Sequence, residues 1–206
     1  MIRIFIETKT SKTNIKKTNE ERFIMHLVNL VGGTLSDIEI TGTDGYTNLV
    51  LFEEQMKRNS DNGGKNIVIF DADSADNGGG YEKRNAYLLE KQKTMGVDFE
   101  LFLFPNNSDD GMFEHLLEWL TTEHHKGLLE CFEGYQNCVS SKNGLGAYEL
   151  PVQKTKMYAY IDTLKKTQAQ QKAFKAGDWF FENTSIWNFD APYLAPLKEF
   201  LKHTIL

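Results

Sequence analysis

Four short strand-like runs recur through about residue 104, each followed by residues at helical spacing, and this rhythm limits the fold more than any other feature. The runs are Ile2–Ile6, Asp37–Thr41, Asn66–Phe70 and Phe99–Phe104. Phe23, Ile24, Leu27, Leu30 and Val31 share one helical face, as do Leu49, Phe52 and Met56, and later Phe113, Leu116, Leu117 and Leu120. Tyr81–Met95 reads as a further helix with Gly96 as its stop, and Gly32-Gly33 stops the first. Thr18 and Glu21 have the separation of a capping box at the start of that first helix. The alternation predicts an α/β fold, a mostly parallel four-stranded sheet flanked by helices. It ceases near residue 121. Helical segments are expected near 125–138 and 152–166, and the aromatic-rich stretch from Asp178 should cover an open flank of the core and end in a helix. The expected organisation is an α/β core over 1–121 and a helical C-terminal extension over 122–206 packed on it as one structural domain.

The runs end in a way that a purely structural strand does not require. Ile67–Phe70 leads straight into Asp71, Asp73 and Asp76, and the first strand ends at Glu7. Ligand sites of open α/β sheets lie at the carboxyl ends of strands. Alternate residues of an extended chain point the same way, so Asp71 and Asp73 are expected to converge. At a separation of about 6 Å and an effective dielectric near 20, their repulsion is roughly 2–3 kcal/mol. Protonation, solvation or a bound cation relieves it, and magnesium suits one or two carboxylates with water and phosphate. The plain alternative is a strand ending in solvent, with Asp73 starting a turn. A right-handed winding can set the first and third strands side by side, which would bring Glu7 to the same place.

The surroundings suggest phosphate. Lys9, Lys12, Lys16 and Lys17 lie in a loop after Glu7 with no acidic residue among them, and ammonium groups are point charges for phosphate oxygens. The glycines of "DNGGG" at 76–80 precede a helix start, where amides can approach an anion. The bulk composition counts against nucleic acid without excluding it: 23 basic and 29 acidic residues give a net charge of -6, which disfavours indiscriminate coating of nucleic acid but not a local basic patch. His124-His125 are neighbours that share no helical face. Cys131 and Cys138 are too few for a disulfide scaffold or a zinc module and read as reduced structural thiols. The apolar run at the N-terminus is too short for a signal peptide, and no stretch approaches the ~20 apolar residues of a membrane span. A cytoplasmic protein without membrane contact is expected.

A strand ending in Glu, a helix, and a later strand ending in Asp-x-Asp resembles the Toprim domain of topoisomerases, bacterial primases and the nucleases named for overcoming lysogenization defect. Glu7 in "IFIET" and Asp71 and Asp73 in "IVIFDADS" carry the resemblance. "FELFLFPNNSDDGMFEHLLEWL" is similar to the last strand and helix of small stand-alone Toprim-like proteins, with Gly111 and Glu114 at the matching positions. The family's first Glu is usually followed by Gly and a short loop, whereas here Thr8 opens the longer lysine-bearing one. The resemblance implies Mg2+ or Mn2+ held by Glu7, Asp71 and Asp73, with Glu114 as a further candidate. It implies phosphoryl transfer on DNA or RNA. A topoisomerase needs a tyrosine-bearing partner domain and a primase of this type a zinc module, so phosphodiester hydrolysis is the simplest activity implied. A non-catalytic nucleic-acid- or protein-binding regulatory module on the same fold is the alternative. A phosphatase of the haloacid-dehalogenase type, with Asp71 as nucleophile, is a more distant one.

Overall fold

The structure, a computed structural model, describes residues 1–8, 17–144 and 146–206, apart from the side chain of Asn77. Among the described residues, four strands form one all-parallel sheet: β1 (Ile2–Ile6), β2 (Ile38–Gly42), β3 (Lys65–Asp71) and β4 (Glu100–Phe104), in the order β2-β1-β3-β4. The first and third strands are adjacent as expected, Ile6 lying opposite Ile69. Among the described residues eight α-helices accompany them: α1 (Asn19–Leu30), α2 (Glu53–Asp61), α3 (Tyr81–Met95), α4 (Phe113–Leu120), α5 (Lys126–Lys142), α6 (Gln153–Thr163), α7 (Gln168–Lys175) and α8 (Ala195–Ile205).

The central strand β3 is buried on both sides, which is why its sequence is apolar without alternation. Ile67 and Ile69 point into one core, with Ile4, Ile6, Phe102 and Phe104 from the neighbouring strands. Val68 and Phe70 point into the other, with Phe5 and Leu103. The first core is closed by α1, α4, α6 and α8, through residues such as Phe23, Leu116, Ile161 and Leu201. The second is closed by α2 and α3, through Met56, Leu88 and Met95.

The extension shares the first core. Trp179, Phe181, Trp187 and Phe189 are buried in it, and the Trp187 indole donates to the Trp179 carbonyl at 2.8 Å. Lys156 of α6, only 4% exposed, donates to Glu118 of α4 at 2.6 Å and to Glu133 of α5 at 2.8 Å. Its charge is thereby satisfied between three helices.

Three local readings are refined. The face of Leu49, Phe52 and Met56 crosses a change of helix type, since Tyr46–Phe52 is a 3-10 segment that runs into α2. The three-residue step from Leu49 to Phe52 suits the tighter winding and the four-residue step to Met56 the α-helix. The sequence reading missed α7, which has few apolar residues, although its capping box was legible: Thr167 accepts from the Gln170 amide at 3.2 Å and donates its own amide to the Gln170 side chain at 2.9 Å. Cys131 and Cys138 are free and exposed on α5, not structural thiols of a core.

Candidate functional site

The carboxyl edge of the sheet gathers acidic groups on the face covered by α1 and α4. Asp71 is the last residue of β3, and its Oδ1 accepts from the Phe113 amide at 2.8 Å. Asp71 therefore caps the first turn of α4, and it satisfies an amide that the helix cannot pair internally. Glu7 follows β1 directly, and its Oε2 faces the Asp71 amide at 3.4 Å. Burial pushes the Glu7 carboxyl up; the Arg84 charge opposes that shift, and the Asp73 charge adds to it. Burial likewise pushes Asp71 well above the usual carboxylate range, helped by the charges of Glu20, Glu7 and Glu114.

Glu20 is a member of this group that the sequence reading did not pick out. It lies in the first turn of α1, is 5% exposed, and accepts from the Thr8 amide at 3.4 Å. Burial lifts its pKa to about 7, with the Glu7 charge contributing. The signal was present in "TNEER", where an acid beside the helix cap could face inward. The capping-box spacing marks Glu21 instead. Thr18 does cap α1, accepting from the Glu21 amide at 3.1 Å, but the Glu21 side chain pairs with Lys17 at 2.7 Å.

Asp73 does not converge with Asp71 as alternation predicts. Its φ is +60°, the left-handed region that non-glycine residues enter at some cost. The backbone there is held by the Gly111 amide, which donates to the Asp73 carbonyl at 2.8 Å. The turn carries the Asp73 carboxylate to Arg84 of α3, with which it forms an ion pair. Gly79 allows this arrangement, because a Cβ there would stand 2.5 Å from the Asp73 Cβ. Arg84 is 4% exposed. Its guanidinium lies 3.2 Å from the centroid of the Tyr46 ring, and its buried Nη1 has no hydrogen-bond partner. Arg84 was also absent from the sequence reading. Its one trace there is its spacing of four residues from Leu88 on the inward side of α3.

The remaining candidates divide. Glu114 stands in the first turn of α4, within electrostatic reach of Asp71. Lys17 is described and paired with Glu21, whereas Lys9, Lys12 and Lys16 lie outside the described residues. The glycine-rich approach to α3 is not an open anion cradle: the Tyr81 amide donates to Asp110 Oδ1 at 2.7 Å, so a carboxylate of the chain already holds that helix start. His124 and His125 pack ring to ring outside the site.

Among the described residues no three His, Cys, Asp or Glu side chains form a ready-made metal cage. The donor set nevertheless fits a hard divalent cation. The oxygen donors are Glu7 and Asp71; burial raises both, with the Asp73 charge adding at Glu7 and the Glu20, Glu7 and Glu114 charges at Asp71, and the buried cation nearby, Arg84, is engaged by Asp73. Magnesium asks for only one or two such carboxylates and keeps several waters. Among the described residues no helix is long and apolar enough to cross a membrane.

No curated protein and no solved structure matches the chain. Residues 17–206 match the model of a family described as proteins of unknown function, DUF3226. The match takes in α1, the last three strands and the whole helical extension, and the chain therefore belongs to the DUF3226 family.

Proposed function

We propose that the protein is a metal-dependent phosphoryl-transfer protein of Toprim-like design that hydrolyses phosphodiesters in nucleic acid. The observation that carries this reading is the meeting of Glu7 and Asp71. Glu7, directly after β1, accepts from the Asp71 amide at the end of the adjacent parallel strand β3 at 3.4 Å, and both side chains are destabilised as anions by burial and by like charge. A site that concentrates negative charge at a strand edge gains most from a divalent cation.

Glu7 and Asp71 would hold Mg2+ or Mn2+. The ion, when bound, neutralises charge on the phosphate and lowers the pKa of a coordinated water. Phe113 fixes the orientation of Asp71 by its amide. Glu114, from the same helix turn, would serve as a further ligand or orient water. Arg84 holds Asp73 to one side and supplies a fixed positive charge at the rim of the group.

A second reading is favoured by that same Arg84 contact. With Asp73 already engaged by an internal cation, the fold could serve as a nucleic-acid- or protein-binding module without turnover. Incubation of single- and double-stranded DNA and RNA with Mg2+ or Mn2+ separates the two. The hydrolytic reading expects cleavage that falls about 100-fold or more in Asp71→Asn and in Glu7→Gln. Binding of substrate without cleavage in the wild type, or cleavage indifferent to both substitutions, would overturn it.

A further inference from the structure

Hydrolytic sites that use two divalent ions hold them about 3.5–4 Å apart, which takes acids for both. Here the acids at the sheet edge are already divided. Glu7 and Asp71 belong to neighbouring strands, with Glu20 and Glu114 in electrostatic reach of Asp71. Asp73 is set apart from them by the turn after β3. That turn is pinned by its backbone: Gly80 donates to the Ala72 carbonyl at 2.9 Å, Gly79 to Ser74 at 3.0 Å and Gly111 to Asp73 at 2.8 Å. The Asp73 carboxylate is thereby given to α3, where Arg84 meets it.

Arg84 is held as a fixed charge. It is 4% exposed, and the Tyr46 ring lies 3.2 Å below its guanidinium. A guanidinium stays protonated throughout the physiological range, so this cation is resident and does not depend on metal supply. Its ion pair with Asp73 does not exhaust it. Nη1, on the same planar group as the paired Nη2, is buried without a hydrogen-bond partner among the described residues, a costly state for a donor. Its charge is also felt at Glu7. The other charges around the turn are engaged elsewhere or lie in solvent. Asp110 accepts from the Tyr81 amide at 2.7 Å, Lys83 donates to the Gly78 carbonyl at 2.6 Å, Lys17 pairs with Glu21, and Asp76 is exposed. Arg84 is left as the cation that meets the acids of this edge.

We infer that the Arg84 guanidinium stands where a second divalent ion would otherwise bind, so that the site takes one Mg2+ or Mn2+, on Glu7 and Asp71, with Asp73 no ligand to it. The inference rests on the metal-dependent reading and deepens it by fixing the number of ions. Arg84 is a positioning residue in this arrangement, acting through Asp73 and through its field on Glu7.

The test is calorimetric titration of the full chain with Mn2+ in low-salt buffer, counting ions above the background of a Glu7→Gln/Asp71→Asn variant. The wild type should take up one ion, with the electron paramagnetic resonance spectrum of isolated Mn2+. Arg84→Gln, which keeps length and loses the charge, should take up one ion more than the wild type, and the close pair should show spin coupling. Adding Asp73→Asn should abolish the extra ion, and Arg84→Lys should keep the wild-type count. A merely structural Arg84 would shift the melting temperatures of these variants and leave the count unchanged. Arg84→Met, equally uncharged, repeats the measurement if Arg84→Gln does not fold. Equal counts in the wild type and the uncharged variant, zero included, overturn the inference, as do two ions in the wild type. Two ions in a wild type that cleaves nucleic acid remove the inference alone. One extra ion in the uncharged variant of a protein that cleaves nothing upholds the inference and removes the hydrolytic reading alone.

Discussion

Glu20 concentrates the electrostatic character of the site in one side chain. It sits in the first turn of a helix, where a carboxylate is normally favoured, yet burial lifts it from 4.5 to about 7. A carboxyl raised on folding holds its proton longer in the folded state, so its contribution to stability is complete below the unfolded value. That contribution is lost as pH rises through the folded one. Glu7 and Asp71 act in the same direction. His26 and His125, lowered by desolvation, act in the opposite one. The informative quantity is therefore a difference between variants. The melting temperature of Glu20→Gln minus that of the wild type should grow as pH rises from about 5 to about 8, measured by circular dichroism. A constant or shrinking difference would show that Glu20 is not held neutral by burial. Glu20 was hard to read in sequence because an acid in a first turn is ordinary, and only the packing of α1 on the sheet makes this one buried. Asp73 was misread for a backbone reason: alternation assumes extended φ, and a single left-handed residue cancels it.

At the scale of elements, the four strands and most helices were legible because apolar period and stop signals agreed. Tyr81–Met95 ends at Gly96 in the left-handed conformation that the glycine was read to supply. The pairing of β1 with β3 was legible from winding rules, and with it the meeting of Glu7 and Asp71. The link between α3 and the end of β3 was not, because it depends on the Arg84–Asp73 ion pair across a turn. Removing one partner of a buried pair leaves the other uncompensated. Arg84→Met should therefore destabilise the protein by about 2 kcal/mol, a value reduced from that of a fully buried pair because Asp73 is partly exposed. Adding Asp73→Asn should recover part of that loss. Urea midpoints of the two single variants and the double variant test this, and additive losses would show that the pair is not coupled.

For the molecule as a whole, the extension is part of the main core. The face of the sheet that carries Ile4, Ile69 and Phe104 is covered jointly by α1, α4, α6, α8 and the tail aromatics. A chain cut after residue 121 would leave that face open, a patch far larger than soluble monomers expose. We expect residues 1–121 alone to show no cooperative urea transition, whereas the full chain shows one. A sharp transition in the fragment would mean that the α/β core stands by itself. The sequence placed the boundary near residue 121 because the strand rhythm stops there. It gave no measure of how much core lies beyond, since Trp187 and Phe181 come from an irregular stretch with no period to read.

The two-sided burial of β3 also limits how this family can vary. Odd-numbered residues of that strand serve one core and even-numbered residues the other, so inserting or deleting one residue within it would exchange the two sets and carry Asp71 to the wrong side. Length changes between descendants can accumulate between elements, such as residues 105–112 between β4 and α4, but not upstream of Asp71 inside the strand. A register shift between Asn66 and Asp71 is therefore expected to be ruled out in a working member of the family, whereas a change in length between elements leaves the facing of β3 intact.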